Sequence, residues 1–354
     1  MTKFFAVVVF GSVSVFGATR LEPLPAPEQA AIDRISADAL RGDLSFLASD
    51  ALEGRGTPSR GLNVAAEFIA SEFRRAGLEP VSKDGSYFQV AKFAELTPKM
   101  DDFRLALKAG GQELELASSD VRVRALKAID LKDAGVVDLP STGGLPAGIE
   151  GKIVAGESRR YGSEASMKAL QARHPALILL VGRRRGASEG KSYLADADSG
   201  DAPVIRIFNG DAASAVTEQR TITVSVHVSA PASKPALLEN VAGVLRGSDR
   251  ALSDQYVIVS AHYDHLGTSA GQVYNGAHDN GSGTASVIEV ASALATLHPR
   301  PKRSILFLAF FGEEEGLLGA YFYTRHPLVP LKSTVADINF EQMGRTDDQD
   351  GKKV

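Results

Sequence analysis

The chain has 354 residues, of which 44% are hydrophobic and 23% are charged, and its formal net charge is −4. This balance is typical of a globular protein of about two domains, and it gives no electrostatic argument for binding nucleic acid or an anionic membrane. Because the chain contains no cysteine, it can form neither a disulfide framework nor a thiolate zinc site, so any metal must be held by His, Asp and Glu.

The N-terminus has the features of an export signal. Lys3 precedes an apolar run at residues 4–16, and the small residues Gly17 and Ala18 follow it. The run is too short to span a bilayer as a helix. We therefore expect residues 1–18 to be a secretory signal peptide and the protein to be periplasmic or secreted. The alternatives are a buried N-terminal element or a retained anchor, and we expect no transmembrane span later in the chain.

The middle of the chain differs in pattern from the segments on either side. Residues 62–76 have the apolar spacing of a helix that ends at Gly77. From residue 101 to 233 short alternating segments dominate, as at residues 221–228, where Ile and Val occupy every second position. We predict a β-rich insertion at 101–233, between the two parts of another domain at 30–100 and 236–354. The proline-rich residues 230–235 would mark the boundary.

The C-terminal third predicts strands that alternate with helices. Short apolar runs at residues 256–261 and 304–310 are typical of buried strands, residues 335–340 are a further strand, and residues 282–297 and 316–323 have helical spacing. This alternation favours a layered α/β sheet. In such sheets, functional sites form beyond the carboxyl ends of the strands.

Polar residues follow the first of these strands in the pattern His-x-Asp. Residues two apart in an extended chain point to the same side. The imidazole of His262 could therefore bind a metal while the Asp264 carboxylate contacts the ring from behind. Alone the pattern is weak evidence, because a single histidine is usually structural or exposed.

More carboxylates follow at the ends of the next elements. Asp279 lies in the Gly- and Asn-rich stretch 275–283, for which turn formation and helix capping are the simpler explanation at Asn280 and Ser282. The three glutamates at 313–315 repel one another unless a cation or protons compensate, although a solvated helix start is the alternative. Glu341 follows the last strand. Nitrogen and oxygen ligands without sulfur suit zinc, manganese or cobalt in a hydrolytic site.

In their order and spacing, four motifs resemble metallopeptidase family 28, the zinc aminopeptidases typified by aminopeptidase Y and bacterial leucyl aminopeptidase. They are SAHYDHLG at 260–267, GAHDNGSG at 276–283, GEEEGLLG at 312–319 and INFE at 338–341. Residues 53–56 and 240–243 are also similar to that family. The resemblance implies a layered α/β/α zinc-exopeptidase domain, and the segment 101–233 resembles a protease-associated domain inserted in it.

The resemblance also implies a role for each site residue. The metal ligands would be His262, Asp279, Glu314 and Glu341, with Asp279 bridging two zinc ions. Asp264 would orient His262, and Glu313 would be the general base and acid that handles the proton of the attacking water. The implied function is a zinc-dependent aminopeptidase that hydrolyses N-terminal residues from peptide substrates through a water activated by two metals.

The sequence departs from the family pattern in two places. The family supplies a further histidine ligand towards the C-terminus, whereas this sequence ends at Val354, and neither His298 nor His326 stands at that point in the motif order. We therefore expect a C-terminally truncated peptidase domain, a second zinc without that ligand, and a chain whose own activity is open. His278 stands where an acidic residue is common, and we expect its side chain to point away from that of Asp279.

Two other functions stay open from the sequence. One is a single-zinc enzyme of the same fold, similar to a glutaminyl cyclase. The other is an inactive peptidase domain that serves as a binding scaffold. The set of Asp279, Glu314 and Glu341 favours two metals over one, and the presence of Glu313 favours an enzyme over a scaffold.

Overall fold

The structure is a computed structural model that describes residues 23–82, 84–183, 192–196, 200–218 and 221–344. The expected signal peptide at residues 1–18 lies outside these residues. Among the helices of the described residues, none is long and apolar enough to cross a membrane. These helices are α1 Ala26–Ile32, α2 Ala37–Leu47, α3 Arg60–Arg75, α4 Ser158–Tyr161, α5 Glu164–Gln171, α6 Gly210–Glu218, α7 Ser282–Ala295 and α8 Leu318–Arg325.

The strands fall into two large sheets and a small hairpin. In chain order they are β1 Glu79–Pro80, β2 Phe88–Thr97, β3 Arg104–Ala109, β4 Gln112–Leu116, β5 Val121–Arg124, β6 Ile129–Asp138, β7 Ile153–Glu157, β8 Leu177–Val181, β9 Tyr193–Asp196, β10 Val204–Ile207, β11 Ile222–Val228, β12 Ala232–Leu245, β13 Tyr256–His262, β14 Gly267–Ser269, β15 Gln272–Tyr274, β16 Ser304–Phe310 and β17 Thr334–Asn339.

The first sheet carries the C-terminal strands and has the order β17-β13-β16-β12-β2-β9, with β1 paired to β12. Strands β17, β13 and β16 run parallel to their neighbours in this set, whereas β12 is antiparallel to β16. Parallel strands need crossover connections, and here α7 and α8 lie in the connections. The prediction of strands alternating with helices in this third of the chain is therefore confirmed.

Helices cover both faces of this sheet. On one face α2, α3 and α7 pack through Leu47, Phe73 and Ile288 against Phe307 of β16 and its neighbours. On the other face Tyr323 of α8 packs against the alternate residues of the same strands. Because β13, β16 and the end of β12 from Val241 to Leu245 are buried on both sides, their sequences are nearly continuous apolar runs. The layered α/β/α arrangement is confirmed.

Helix α3 follows the pattern expected from the sequence. The Ser59 side chain accepts a hydrogen bond from the backbone amide of Leu62, which caps the N-terminus. Leu62, Ile69 and Phe73 are buried on one face, and Gly77, with a φ of 78°, follows its end. The helix therefore begins two residues before the predicted range and ends one residue before its end.

The second sheet is formed within residues 104–228 and has the order β4-β3-β11-β6-β7-β8-β10-β5. Its middle strands β6, β7, β8 and β10 are parallel to one another, and the outer ones are antiparallel. Helix α6 packs on one face through Val216, and α5 packs on the other through Leu170. The predicted alternation at residues 221–228 is confirmed, because every second residue of β11 is buried.

The boundary between the two sheets differs from the sequence prediction. The proline-rich segment 230–235 is not a loop throughout, because β12 begins at Ala232 and Pro235 pairs with Ala94 of β2. This part of β12 precedes the residues that pair with β16, so one of its edges is free and tolerates a residue without an N–H donor. In addition, β9 lies between strands of the second sheet in the sequence but pairs with β2 of the first sheet.

Candidate metal centre

The site lies at the carboxyl ends of the parallel strands of the first sheet. His262 is the last residue of β13, Glu313 and Glu314 follow β16, and Glu341 follows β17. Asp279 lies in the turn before α7. Strands β17, β13 and β16 are adjacent and parallel, so their ends meet at one edge of the sheet. This edge brings together all the residues that the sequence analysis assigned to the site.

His262 occupies the centre of the first ligand group. Its side chain is only 4% exposed, and its Nε2 lies 3.3 Å from Asp279 Oδ1 and 3.4 Å from Glu341 Oε2. Ligands that surround zinc tetrahedrally at about 2.0–2.1 Å are separated by roughly 3.3 Å from one another. Both carboxylate oxygens therefore lie at this separation from His262 Nε2, and His262, Asp279 and Glu341 form a group that could hold a metal ion.

The charges around His262 favour its protonated form. Burial lowers the pKa of His262, but the carboxylates of Asp264, Glu341 and Glu313 outweigh burial and raise it to about 9. An imidazolium ion thus compensates the carboxylates when no other cation is present. A metal ion would take the place of that proton, since only the neutral ring is a ligand.

Asp264 connects His262 to the glutamate loop after β16. Its carboxylate is fully buried, and its Oδ1 lies 3.4 Å from His262 Nδ1 in an ion pair without hydrogen-bond geometry. The same carboxylate accepts hydrogen bonds from the backbone amides of Glu313, at 3.0 Å, and Glu314, at 3.2 Å. Asp264 therefore fixes the position of both glutamates relative to the imidazole, a wider role than orienting His262 alone.

A second group of possible ligands comprises His265, Asp279 and Glu314. His265 Nδ1 lies 2.8 Å from Glu314 Oε1, which is a hydrogen-bond distance, so a metal ion here would replace the shared proton. Asp279 belongs to both groups, as expected for a carboxylate that bridges two metal ions. Each group offers one histidine and two carboxylates, a hard and borderline ligand set that fits zinc.

The sequence analysis gave no role to His265, although this residue is part of the motif at 260–267. The reason is that its partner Glu314 lies 49 positions away in the chain and meets it only because β13 and β16 are neighbours. The signal available in the sequence was a second histidine three residues after the first. His278, in contrast, is half-buried and belongs to neither ligand group among the described residues.

Glu313 lies beside both groups and belongs to neither. Burial raises the pKa of its carboxyl group. The charge of His262 opposes this rise, and the carboxylates of Glu314, Asp264 and Glu341 add to it. A carboxylate with a raised pKa that is not committed to a metal is suited to accept a proton from water. The geometry is therefore consistent with the general-base role that the resemblance implied.

Arg55 anchors the loops that carry the ligands. Its guanidinium group is completely buried and donates hydrogen bonds to the carbonyl groups of Leu47, Tyr263, Asn275 and Gly276. Burial lowers the pKa of Arg55 to about 10, against the opposing charges of Asp264 and Asp279. Through Arg55, the motif at residues 53–56 therefore stabilises the positions of the loop after β13 and the segment before α7.

Asn280 connects the Asp279 turn to the end of β17. Its Nδ2 donates to the carbonyl of Phe340 at 2.9 Å and to Glu341 Oε2 at 3.3 Å. Its Oδ1 accepts hydrogen bonds from the backbone amides of Gly283 and Gln342. The capping role expected for Asn280 is confirmed by the bond from Gly283, and the other bonds hold Glu341 next to Asp279.

Comparison with known proteins supports the arrangement of these residues. The sequence model described as "Peptidase family M28" matches residues 240–351, the segment that carries every ligand named above. This segment is therefore similar in sequence to that family, as the resemblance of the motifs implied.

Individual relatives match less than half of this chain. The aminopeptidase YwaD of Bacillus subtilis is 34% identical over 143 residues, which are 40% of this chain and 29% of YwaD. A probable zinc metalloprotease of Pyrenophora teres is 33% identical over 120 residues, 33% of this chain and 25% of that protein. The matched part of the chain thus spans less than a third of the length of these relatives. Among solved structures, an aminopeptidase from Aneurinibacillus sp. strain AM-1 is similar to 91% of this chain and 74% of its own, with a TM-score of 0.49 and 19% identity.

Proposed function

We propose that this chain is a zinc-dependent aminopeptidase, which removes N-terminal residues from peptides through a water molecule activated by two metal ions. The observation that carries the proposal is the pair of ligand groups that share Asp279. Glu313 beside them supplies a carboxylate that is free to move a proton. The match to the M28 family and the zinc and aminopeptidase descriptions of the relatives support the choice of metal and substrate.

In this proposal His262, Asp279 and Glu341 hold one zinc ion, and His265, Asp279 and Glu314 hold the other. Bound zinc lowers the pKa of a water molecule and polarises the carbonyl group of the scissile peptide bond. Glu313 accepts the proton of the attacking water and then donates it to the leaving amine. Asp264 holds the imidazole of His262 and the backbone of Glu313 in fixed relative positions during these steps.

The excess of negative charge also suits the substrate. Carboxylates outnumber the cationic groups His262 and Arg55 around this sheet edge. Carboxylates that are not bound to a metal ion would attract the ammonium group of a free peptide N-terminus. A neutral or acylated N-terminus would gain no such attraction.

The two alternative functions are less well supported. A single-zinc enzyme similar to a glutaminyl cyclase would leave the carboxylates of the second group without a metal, and an inactive scaffold would have no need of the proton acceptor at Glu313. We also propose that the protein is exported to the periplasm or secreted, on the pattern of residues 1–18.

The function is tested with matched peptides that differ only at the N-terminus. We expect the zinc-loaded protein to release leucine from Leu-Gly-Gly but to leave N-acetyl-Leu-Gly-Gly intact, and we expect a chelator to abolish and added zinc to restore this activity. Chromatography of the products measures both reactions. Equal cleavage of the acetylated peptide, cyclisation of a Gln-Gly-Gly peptide without hydrolysis, or peptide binding without turnover would each contradict the proposal.

A further inference from the structure

A cavity of about 1640 Å³ lies between the second sheet and helix α8. One side is formed by β5 and β10, and the opposite side by Leu318, Tyr321, Phe322 and Arg325 of α8. Neither the proposed catalytic step nor the two ligand groups use any residue that lines this cavity. Its position at the junction of insertion and peptidase part makes it accessible to a ligand that also contacts the metal centre.

The lining of the cavity has an excess of positive charge, in a chain whose net charge is negative. Seven Arg and Lys side chains face three carboxylates in the described lining. One of the carboxylates, Asp196, lies 3.9 Å from Arg325 and so has a cation of its own. The rest of the lining therefore presents a positively charged surface, which suits an anionic ligand better than a neutral one.

Three arginines form the densest part of this surface, which we call the arginine cluster: Arg122, Arg124 and Arg206. Strands β5 and β10 pair in a register that sets Arg122 directly opposite Arg206, and Arg124 lies two residues along on the same side of β5. Like charges that are directly opposite on neighbouring strands destabilise a sheet. The cluster is thus an unfavourable arrangement for the protein alone.

Few groups within the described residues compensate the cluster. Burial lowers the pKa of Arg206, and the charges of Arg124 and Arg122 lower it further, with no carboxylate acting in the other direction. Burial and the charge of Arg122 also lower the pKa of Arg124, whose guanidinium group lies over the ring of Tyr193, while Tyr193 and Glu315 oppose this shift. An anion bound between these guanidinium groups would remove the repulsion, and forked guanidinium groups match a carboxylate well.

The cavity is close enough to the metal centre for one peptide to contact both. Leu318, which lines the cavity, follows the ligand Glu314 by four residues, so their Cα atoms are at most about 14 Å apart. An extended peptide advances about 3.3 Å per residue. A substrate whose N-terminus lies at the metal centre would therefore reach the cavity with about its fourth or fifth residue.

We propose that the arginine cluster is a subsite that binds a carboxylate of the peptide substrate, four or more residues beyond the scissile bond. The carboxylate is either the C-terminus of a short peptide or an acidic side chain of a longer one. This inference rests on the proposed aminopeptidase function, which it extends to a preference for anionic peptides. Arg206 and Arg122 are the residues that bind the carboxylate.

The test compares pentapeptides that differ only in this carboxylate: Leu-Gly-Gly-Gly-Gly as the amide and as the free acid, and Leu-Gly-Gly-Gly-Glu amide beside its Gln counterpart. Calorimetry with the zinc-loaded protein carrying Glu313→Gln measures binding without turnover. We expect the carboxylate peptides to bind about tenfold or more tightly than the neutral ones. The free acid and the Glu amide distinguish a C-terminal from a side-chain carboxylate.

The same binding is then measured after Arg206→Gln, with Arg122→Gln as a second variant should the first fail to fold. Arg104→Gln is the matched control, because Arg104 lies exposed on β3 and does not line the cavity. We expect the preference for carboxylate peptides to be lost in the cluster variants and kept in the control. Equal binding of all peptides to the parent protein, or a preference that survives both cluster variants, would overturn the subsite. Binding is independent of turnover, so the result is separate from that of the hydrolysis test.

Discussion

Replacing Arg55 with methionine should lower the free energy of unfolding by about 3–5 kcal/mol, because the change removes a buried charge from a network that depends on it. Methionine fills much of the volume but donates no hydrogen bond. The carbonyl groups that Arg55 now satisfies, those of Leu47, Tyr263, Asn275 and Gly276, would remain buried without a partner. Denaturant unfolding followed by fluorescence or circular dichroism measures the effect.

Replacing Arg55 should also weaken zinc binding at the metal centre. The loops that Arg55 joins carry His265 and Asp279, so a variant that still folds should bind zinc more weakly. Arg41→Met is the control, because Arg41 is exposed on α2 and pairs with the exposed Asp38. Its unfolding free energy should change by less than about 1 kcal/mol. Similar effects of the two substitutions would show that the buried guanidinium group does not hold these loops.

Replacing Glu313 with glutamine should reduce kcat/KM for peptide hydrolysis by about 10²- to 10⁴-fold, the usual contribution of a general base. Glutamine keeps the size of the side chain but cannot accept the proton of the attacking water. Glu313 belongs to neither ligand group, so the zinc content should be unchanged. Steady-state kinetics and metal analysis of the same preparation measure the two quantities.

Measuring activity and zinc content separately distinguishes a general base from a metal ligand. A ligand such as Glu314 should lose zinc and activity together when replaced with glutamine. Glu67→Gln, at an exposed position of α3, should retain both. If Glu313→Gln keeps more than about a tenth of the parent activity, the proton is accepted elsewhere. If the variant loses zinc, Glu313 is a ligand and the assignment of roles to the glutamates is wrong.

The parts of the fold that follow from local pattern could be predicted from the sequence. The strand at residues 304–310 has the predicted bounds, and α7 begins at the predicted Ser282, because buried parallel strands and amphipathic helices have strong apolar periodicity. Each site residue named from its motif also lies at the predicted sheet edge. His262, Asp279 and Glu341 meet there because each follows or precedes an element whose position the sequence defines.

The parts that depend on contacts between distant segments could not be predicted in this way. His265 gains its role from Glu314, and Arg55 from carbonyl groups more than 200 positions further along the chain. Pro235 lies in a strand although proline usually marks a turn, because only one edge of β12 is paired there. In each case the deciding interaction is tertiary, and local propensity carries no information about it.

The existence of two metal positions is measured most directly by titrating the metal-free protein with zinc and counting the equivalents bound. The proposed centre predicts two equivalents for the parent chain. It also predicts about one for His265→Ala, which removes a ligand from the second group only, and two for the control His278→Ala, which alters neither group. A single equivalent in the parent chain, or two equivalents that persist in His265→Ala, would contradict the assignment of the second position.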